Sequence, residues 1–402
     1  VTQPAPTYDD ALARRNAVVL ALAQAIGGGN TSVLIATGGI VGAMLAPTKV
    51  LATLPVSCYV IGLWLGTLPL GFLNRRFGRR IAFQIGATSG VLTGILATIG
   101  VVTGSFVIFC LGSVAGGFYA AAMQGYRFAA ADTASPAMRP KVVSWVLVGG
   151  VASGIVGPQL IIQTKDLWPP FLFAPTFVAQ AVLAIFAIAM LFALRAPPVA
   201  ETAATGPVRP LWEIARQPRF IAAVISGIAS YGTMNLVMTS APLAMLECNL
   251  SISDAALGLQ WHVVAMYLPG FFTGSLILRY GVDRIVVFGF ALILSSAAVG
   301  LSGTTVWHFW TVLVLLGAGW NFAFVGATTM VTECYRPQER TIVQPFNDFL
   351  VFGSMVVGSL SSGAMIATVG WDAVNMLVVP VVAAALVLMA VQAIGRRRAA
   401  GA

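Results

Sequence analysis

Charge is what this sequence has least of. Asp, Glu, Lys and Arg make up 9% of its 402 residues, against roughly 25% in a soluble globular protein. So few charges cannot make a water-facing surface. Histidine occurs twice and cysteine four times, with no CxxC and no framework spacing among Cys58, Cys110, Cys248 and Cys334, so neither a zinc site nor a disulfide scaffold is indicated. No nucleophile–base pair or cofactor motif is visible, which argues against an enzyme. Bases outnumber acids, giving a formal charge of +9, but the basic residues sit in short clusters between apolar runs without interleaved aromatics. A nucleic-acid partner is therefore not expected.

What is abundant is apolar surface: 58% of residues are hydrophobic and the mean hydropathy is +0.90. A helix needs about 20 apolar residues to cross a bilayer, and the chain divides into twelve such runs, the first at 16–38 and the last at 371–394. The first run is read as a membrane helix, since no cleavage site follows it. With the N-terminus cytoplasmic, 20 of the 22 Lys and Arg residues fall on that side, leaving Lys49 and Lys165 outside. This charge asymmetry orients the chain and puts both termini in the cytoplasm. The Pro- and Arg-bearing stretch 195–218 is the one long polar connection, so residues 1–194 and 219–402 are expected to form two six-helix halves.

A repeat supports the halves. Gly71, Leu73, Arg76 and Gly78 recur as Gly274, Leu276, Arg279 and Gly281, a constant offset of 203. The segment Gly71–Arg80 resembles the major facilitator signature GxLaDRxGRR between helices two and three, with Arg75 where the signature has an acid. Gly154, Gly157 and Pro158 resemble a second signature of that superfamily. The resemblance implies an all-α integral membrane protein with the major facilitator fold. Its substrate would bind near the midplane between two parallel repeats that rock in alternating access. It also implies gating roles for Gly71, Arg76, Gly78 and Arg79. Asp132 and Glu333, at the cytoplasmic ends of the fourth and tenth helices beside Arg127, Arg139, Arg336 and Arg340, read as an inner salt-bridge network. Asp348, a carboxylate well inside the eleventh helix, reads either as a proton carrier or as a partner of Asn347.

Soft ligands are the remaining signal. Met234 and Met238 are four residues apart in the seventh helix, as are His262 and Met266 in the eighth, and such spacing shares a helix face. At 1.5 Å per residue, Met238 and His262 lie about 10 and 12 Å below the outer surface, and Met234 and Met266 about 16 and 18 Å. Two level rungs are predicted. Thioether and imidazole suit copper, although Met also fills gaps in apolar cores. Cys58, beside the repeat equivalent of His262, could supply a facing thiol or pack as a small hydrophobe. Cys248 and Cys334 could relay metal at the entrance and exit.

MxxxM on helix seven with HxxxM on helix eight resembles the CcoA-type copper importers of bacterial inner membranes. That resemblance implies copper as substrate, Met234, Met238, His262 and Met266 as ligands, unidentified copper donor and acceptor proteins, and a link to cbb3-type oxidase assembly. The alternatives are a major facilitator transporter of a small organic solute or drug, whose Met and aromatic residues line an apolar cavity, and a non-transporting copper sensor.

Overall fold

The computed structural model describes residues 9–135, 138–195, 209–336 and 339–400. All regular structure among them is helical. Helices α1 (Asp10–Leu45), α4 (Phe106–Gln124, continued by Tyr126–Ala131), α5 (Arg139–Thr164), α6 (Ala174–Leu191), α7 (Pro218–Glu247), α9 (Val282–Ser302) and α10 (Val306–Thr332) are single spans. The helix Leu54–Thr103 breaks at Gly78 into α2 and α3, and Arg340–Ala400 breaks at Gly370 into α11 and α12. Between Ile252–Tyr267 and Gly270–Tyr280 the chain bends by 42°, and the two pieces together form α8.

Length decides the count. Among the described residues ten helices are long and apolar enough to cross a membrane, and the bent pair makes eleven. One of them, Ile342–Gly395, has 54 residues, which would extend about 80 Å if straight against a hydrocarbon core of about 30 Å. The break at Gly370 makes it two spans, giving twelve. Exposed Leu278, Leu68, Val107 and Trp307 lie on the outer faces of the helices, as a lipid solvent requires.

The turns are set locally. Gly78 and Gly281, equivalent positions of the repeat, have φ of 80° and 87° with ψ of 165° and 147°. A side chain is strained in that region, so glycine makes the same turn after α2 and after α8. On the outer side Ser251 and Asp254 form a reciprocal capping box that starts α8, satisfying donors that a helix end leaves open.

The chain separates into two compact units, Val1–Val41 with Ile61–Ala200, and Gly42–Val60 with Glu201–Ala402. In the first, Asn16 of α1 exchanges two hydrogen bonds with the backbone of Arg195, and the rings of Phe109 (α4) and Phe177 (α6) meet edge to face at 5.4 Å. Ser32 of α1 bonds to the carbonyl of Ser153 in α5.

In the second unit α7 is the central element. Within its most apolar stretch 78% of residues are buried, more than in any other span, and it packs against α10 and the α11–α12 segment. Residues 42–60 belong to this unit. Their Ser57 hydroxyl lies 2.9 Å from that of Ser359 in α11, and Thr53 donates to the Ser359 carbonyl. All three side chains are buried.

At the cytoplasmic end, Arg209 grips the fully buried Glu339 through both nitrogens of its fork at 2.7 Å, and the backbone N–H groups of Arg209 and Arg336 add to it. Bidentate, charge-assisted bonds of this kind favour the ionised carboxylate. The Arg209 guanidinium beside Glu339 holds its carboxyl down at about 2.

Two outcomes follow from these contacts. In a Cys58→Ala background, Ser57→Cys with Ser359→Cys should cross-link under mild oxidation, read as a mobility change after cleavage at a protease site inserted between residues 195 and 218; no cross-link would refute the contact. A depressed carboxyl contributes stability that is complete above its ordinary value of 4.5 and is lost as pH falls through about 2. The melting-temperature advantage of the wild type over Glu339→Gln should therefore be constant above about pH 4.5 and shrink below it; an advantage that grows on acidification would contradict the account.

Candidate substrate site

A polar group inside a bilayer must be satisfied by the protein. The buried polar atoms of the second unit therefore show how the helices are pinned, and where they are not. His262 is fully buried, and its Nδ1 donates to the carbonyl of Leu313 in α10 at 2.7 Å. Gly317, one turn further along α10, has no side chain to keep it from the His262 backbone. Lower on α8, Pro269 supplies no N–H and the helix bends. Asn321 of α10 bridges the bend: its Nδ2 donates to the Met266 carbonyl at 2.6 Å, while its Oδ1 accepts from Thr273 at 2.7 Å. In bilayers such bonds are worth about 0.6 kcal/mol on average, so the three together, not any one, fix α8 on α10.

The four residues predicted as metal rungs lie in this unit. Met234, Met238, His262 and Met266 are all buried in the second unit; His262 Nδ1 and the Met266 carbonyl are both committed to α10, while His262 Nε2 has no partner. A rise count gives depth along a helix and not direction around it. Among the described residues no group of three His, Cys, Asp or Glu side chains is placed to hold a metal ion. Cys334, at the cytoplasmic end of α10, is buried and donates to the Met330 carbonyl. Burial pushes its thiol up to about 11, leaving little of the thiolate that binds metal. Cys58 and Cys248 are half-buried and outside any disulfide.

The residues expected to gate pair within their own units. Asp132 takes a two-pronged contact from Arg79 at 2.9 and 3.2 Å. Glu333 is held by Arg219 at the start of α7, which also reaches Asp283 at the start of α9. Arg76 lies over the rings of Phe72 and Phe77, and Arg127 over Phe128. Gly71 faces open space. Asn347 donates to the exposed Asp348 at 3.1 Å. The side chains of Arg75, Arg139 and Arg340 lie outside the described residues.

What the sequence reading passed over is an aromatic cluster. Tyr231 of α7 meets Trp320 and Phe324 of α10 edge-on at 5.1 and 4.8 Å, and Phe352 of α11 at 6.1 Å. Trp320 and Phe324 stack at 5.2 Å with 13° between their planes. Tyr231 and Trp320 lie halfway along α7 and α10. Asn235, one turn above Tyr231, donates to the Met355 carbonyl of α11. The available signal was spacing: Trp320 and Phe324 are four apart, and Tyr231 precedes Met234 by three. The second unit also holds buried polar atoms without a hydrogen-bond partner, among them Trp320 Nε1, Thr239 Oγ1 and His262 Nε2. Among the described residues no charged side chain is buried within a span; the buried Glu339 lies outside them.

Comparison with known proteins bears on both fold and substrate. The riboflavin transporter RfnT of Brucella anthropi is 49% identical over 381 residues, covering 94% of this chain and 96% of the relative. That finding overturns the CcoA-type copper reading, with copper as substrate and partner and copper donor and acceptor proteins beside it. YddS of Bacillus subtilis, an uncharacterized MFS-type transporter, is 25% identical over 94% of this chain and 92% of its own length. The xylose transporter XylE from E. coli, in a partially occluded inward-open conformation, superposes with a TM-score of 0.71 at 14% identity over 94% of this chain and 97% of its own. The nucleoside transporter NupG superposes at 0.69 and 14% identity, with 94% and 97% covered. The profile of the Major Facilitator Superfamily matches residues 20–344 and again 223–400, two matches that begin 203 residues apart, the spacing of the internal repeat. With twelve spans, a transporter fold and these matches, the chain is a multi-pass transporter of the bacterial inner membrane and belongs to the Major Facilitator Superfamily.

Proposed function

We propose that this protein carries riboflavin or a close flavin relative across the inner membrane. The end-to-end match to a riboflavin transporter supports the reading. The observation that carries it in this chain is the character of the buried groups. The spans bury no charged side chain among the described residues, yet bury aromatic rings and uncommitted polar atoms at mid-depth. A metal cation or an organic anion would need a counter-charge in such surroundings. A neutral, planar solute with hydrogen-bonding edges does not. Riboflavin is such a solute, with a tricyclic ring and an uncharged polyol chain.

Expressed in a bacterial host that neither makes nor imports riboflavin, the protein should restore growth on riboflavin levels that do not support the host alone. It should also accumulate radiolabelled riboflavin, with unlabelled riboflavin competing and copper salts without effect. Uptake no higher than the empty-vector control, from protein shown to be in the membrane, would refute the proposal.

A further inference from the structure

Three features of the second unit coincide at the middle of their spans. The bend of α8 at Pro269 lies halfway through residues 252–280. Interrupted helices at mid-membrane mark substrate sites in transporters. Asn321, which bridges that bend, is the chain neighbour of Trp320. Trp320 is 7% exposed, its ring stacks on Phe324 and meets Tyr231, and its Nε1–H has no partner. An unmet indole N–H in an apolar setting is costly, so a ligand that accepts from it gains by doing so. Phe324 and Phe352 are only half-buried, so the ring cluster keeps accessible edges.

Along α7, Tyr231, Asn235 and Thr239 recur every fourth residue, a common face. Asn235 is committed to Met355. The Thr239 hydroxyl, 2% exposed, has no partner, and it lies about 12 Å along the helix from Tyr231. The candidate therefore has two chemical zones: an aromatic platform with one free N–H donor, and a free hydroxyl two turns further out.

We infer that Tyr231, Trp320, Phe324 and Phe352 form the ring-binding subsite of a flavin, with Trp320 Nε1 donating to a ring heteroatom and Thr239 receiving the polyol chain. The assignment rests on the flavin reading above. The stack supplies affinity without demanding a charge, and the N–H fixes which edge of the ring lies against α10. Thr239 separates a flavin bearing its polyol from the bare ring.

Flavin emission is quenched when the ring stacks on tryptophan or tyrosine, so binding can be followed with riboflavin itself on detergent-purified protein. Wild type should quench riboflavin saturably. Trp320→Phe keeps a ring and loses the donor, and should weaken binding about tenfold. Trp320→Ala should weaken it about a hundredfold. Thr239→Val should weaken riboflavin several-fold while leaving lumiflavin, the same ring with a methyl group in place of the polyol, unchanged. Gel filtration and helical circular dichroism establish that each variant is folded; if Trp320→Ala fails that test, Trp320→Phe and Thr239→Val still decide. Wild-type affinity for riboflavin in both of those variants overturns the subsite and leaves the flavin reading standing. A wild-type protein that ignores riboflavin but binds another planar solute, such as adenosine, overturns the flavin reading itself.

Discussion

The absence of water in the bilayer governs this molecule. A backbone or side-chain polar group that enters the hydrocarbon must find its partner inside the protein, and nearly every structural choice follows from that. Helices satisfy their own backbones, and hydroxyls fold back on their own helices, as Thr233 does on Ala229 and Thr37 on Val33. Where the helix bends at Pro269, a neighbouring helix supplies a donor, as Asn321 does to the Met266 carbonyl of α8. Against this background the unfilled positions become informative. Trp320 Nε1 and Thr239 Oγ1 are two of the buried polar atoms that have no partner.

The same constraint explains why the ion pairs lie at helix ends. The Arg79–Asp132 and Arg219–Glu333 pairs and the Arg209–Glu339 grip all sit at or beyond helix termini, where headgroups and water lower the cost of charge. The spans keep small residues, hydroxyls and rings. Such spans suit the neutral, flat solute proposed above.

Much of the fold was legible in the sequence, because the bilayer enforces length and charge asymmetry directly. Twelve spans followed from apolar runs, and the repeat around Gly71–Gly78 and Gly274–Gly281 reappears as two glycines with the same positive φ. The site was less legible. Residue spacing fixes which side chains share a helix face and how deep they lie, but not which neighbour that face meets. His262 was level with Met238 by count, yet its ring bonds to Leu313 of α10. Tyr231, Trp320 and Phe352 are 89 and 32 residues apart along the chain, and only tertiary packing brings them together. The short MxxxM and HxxxM patterns pointed to copper, and a relative matched over nearly the full length outweighs them.

The central claim is that a neutral flavin is the solute and that the protein itself moves it. Counterflow in proteoliposomes tests this most directly. Vesicles loaded with unlabelled riboflavin should transiently accumulate labelled riboflavin from outside, and vesicles loaded with copper should not. Equal labelled uptake in loaded, unloaded and protein-free vesicles would contradict the account.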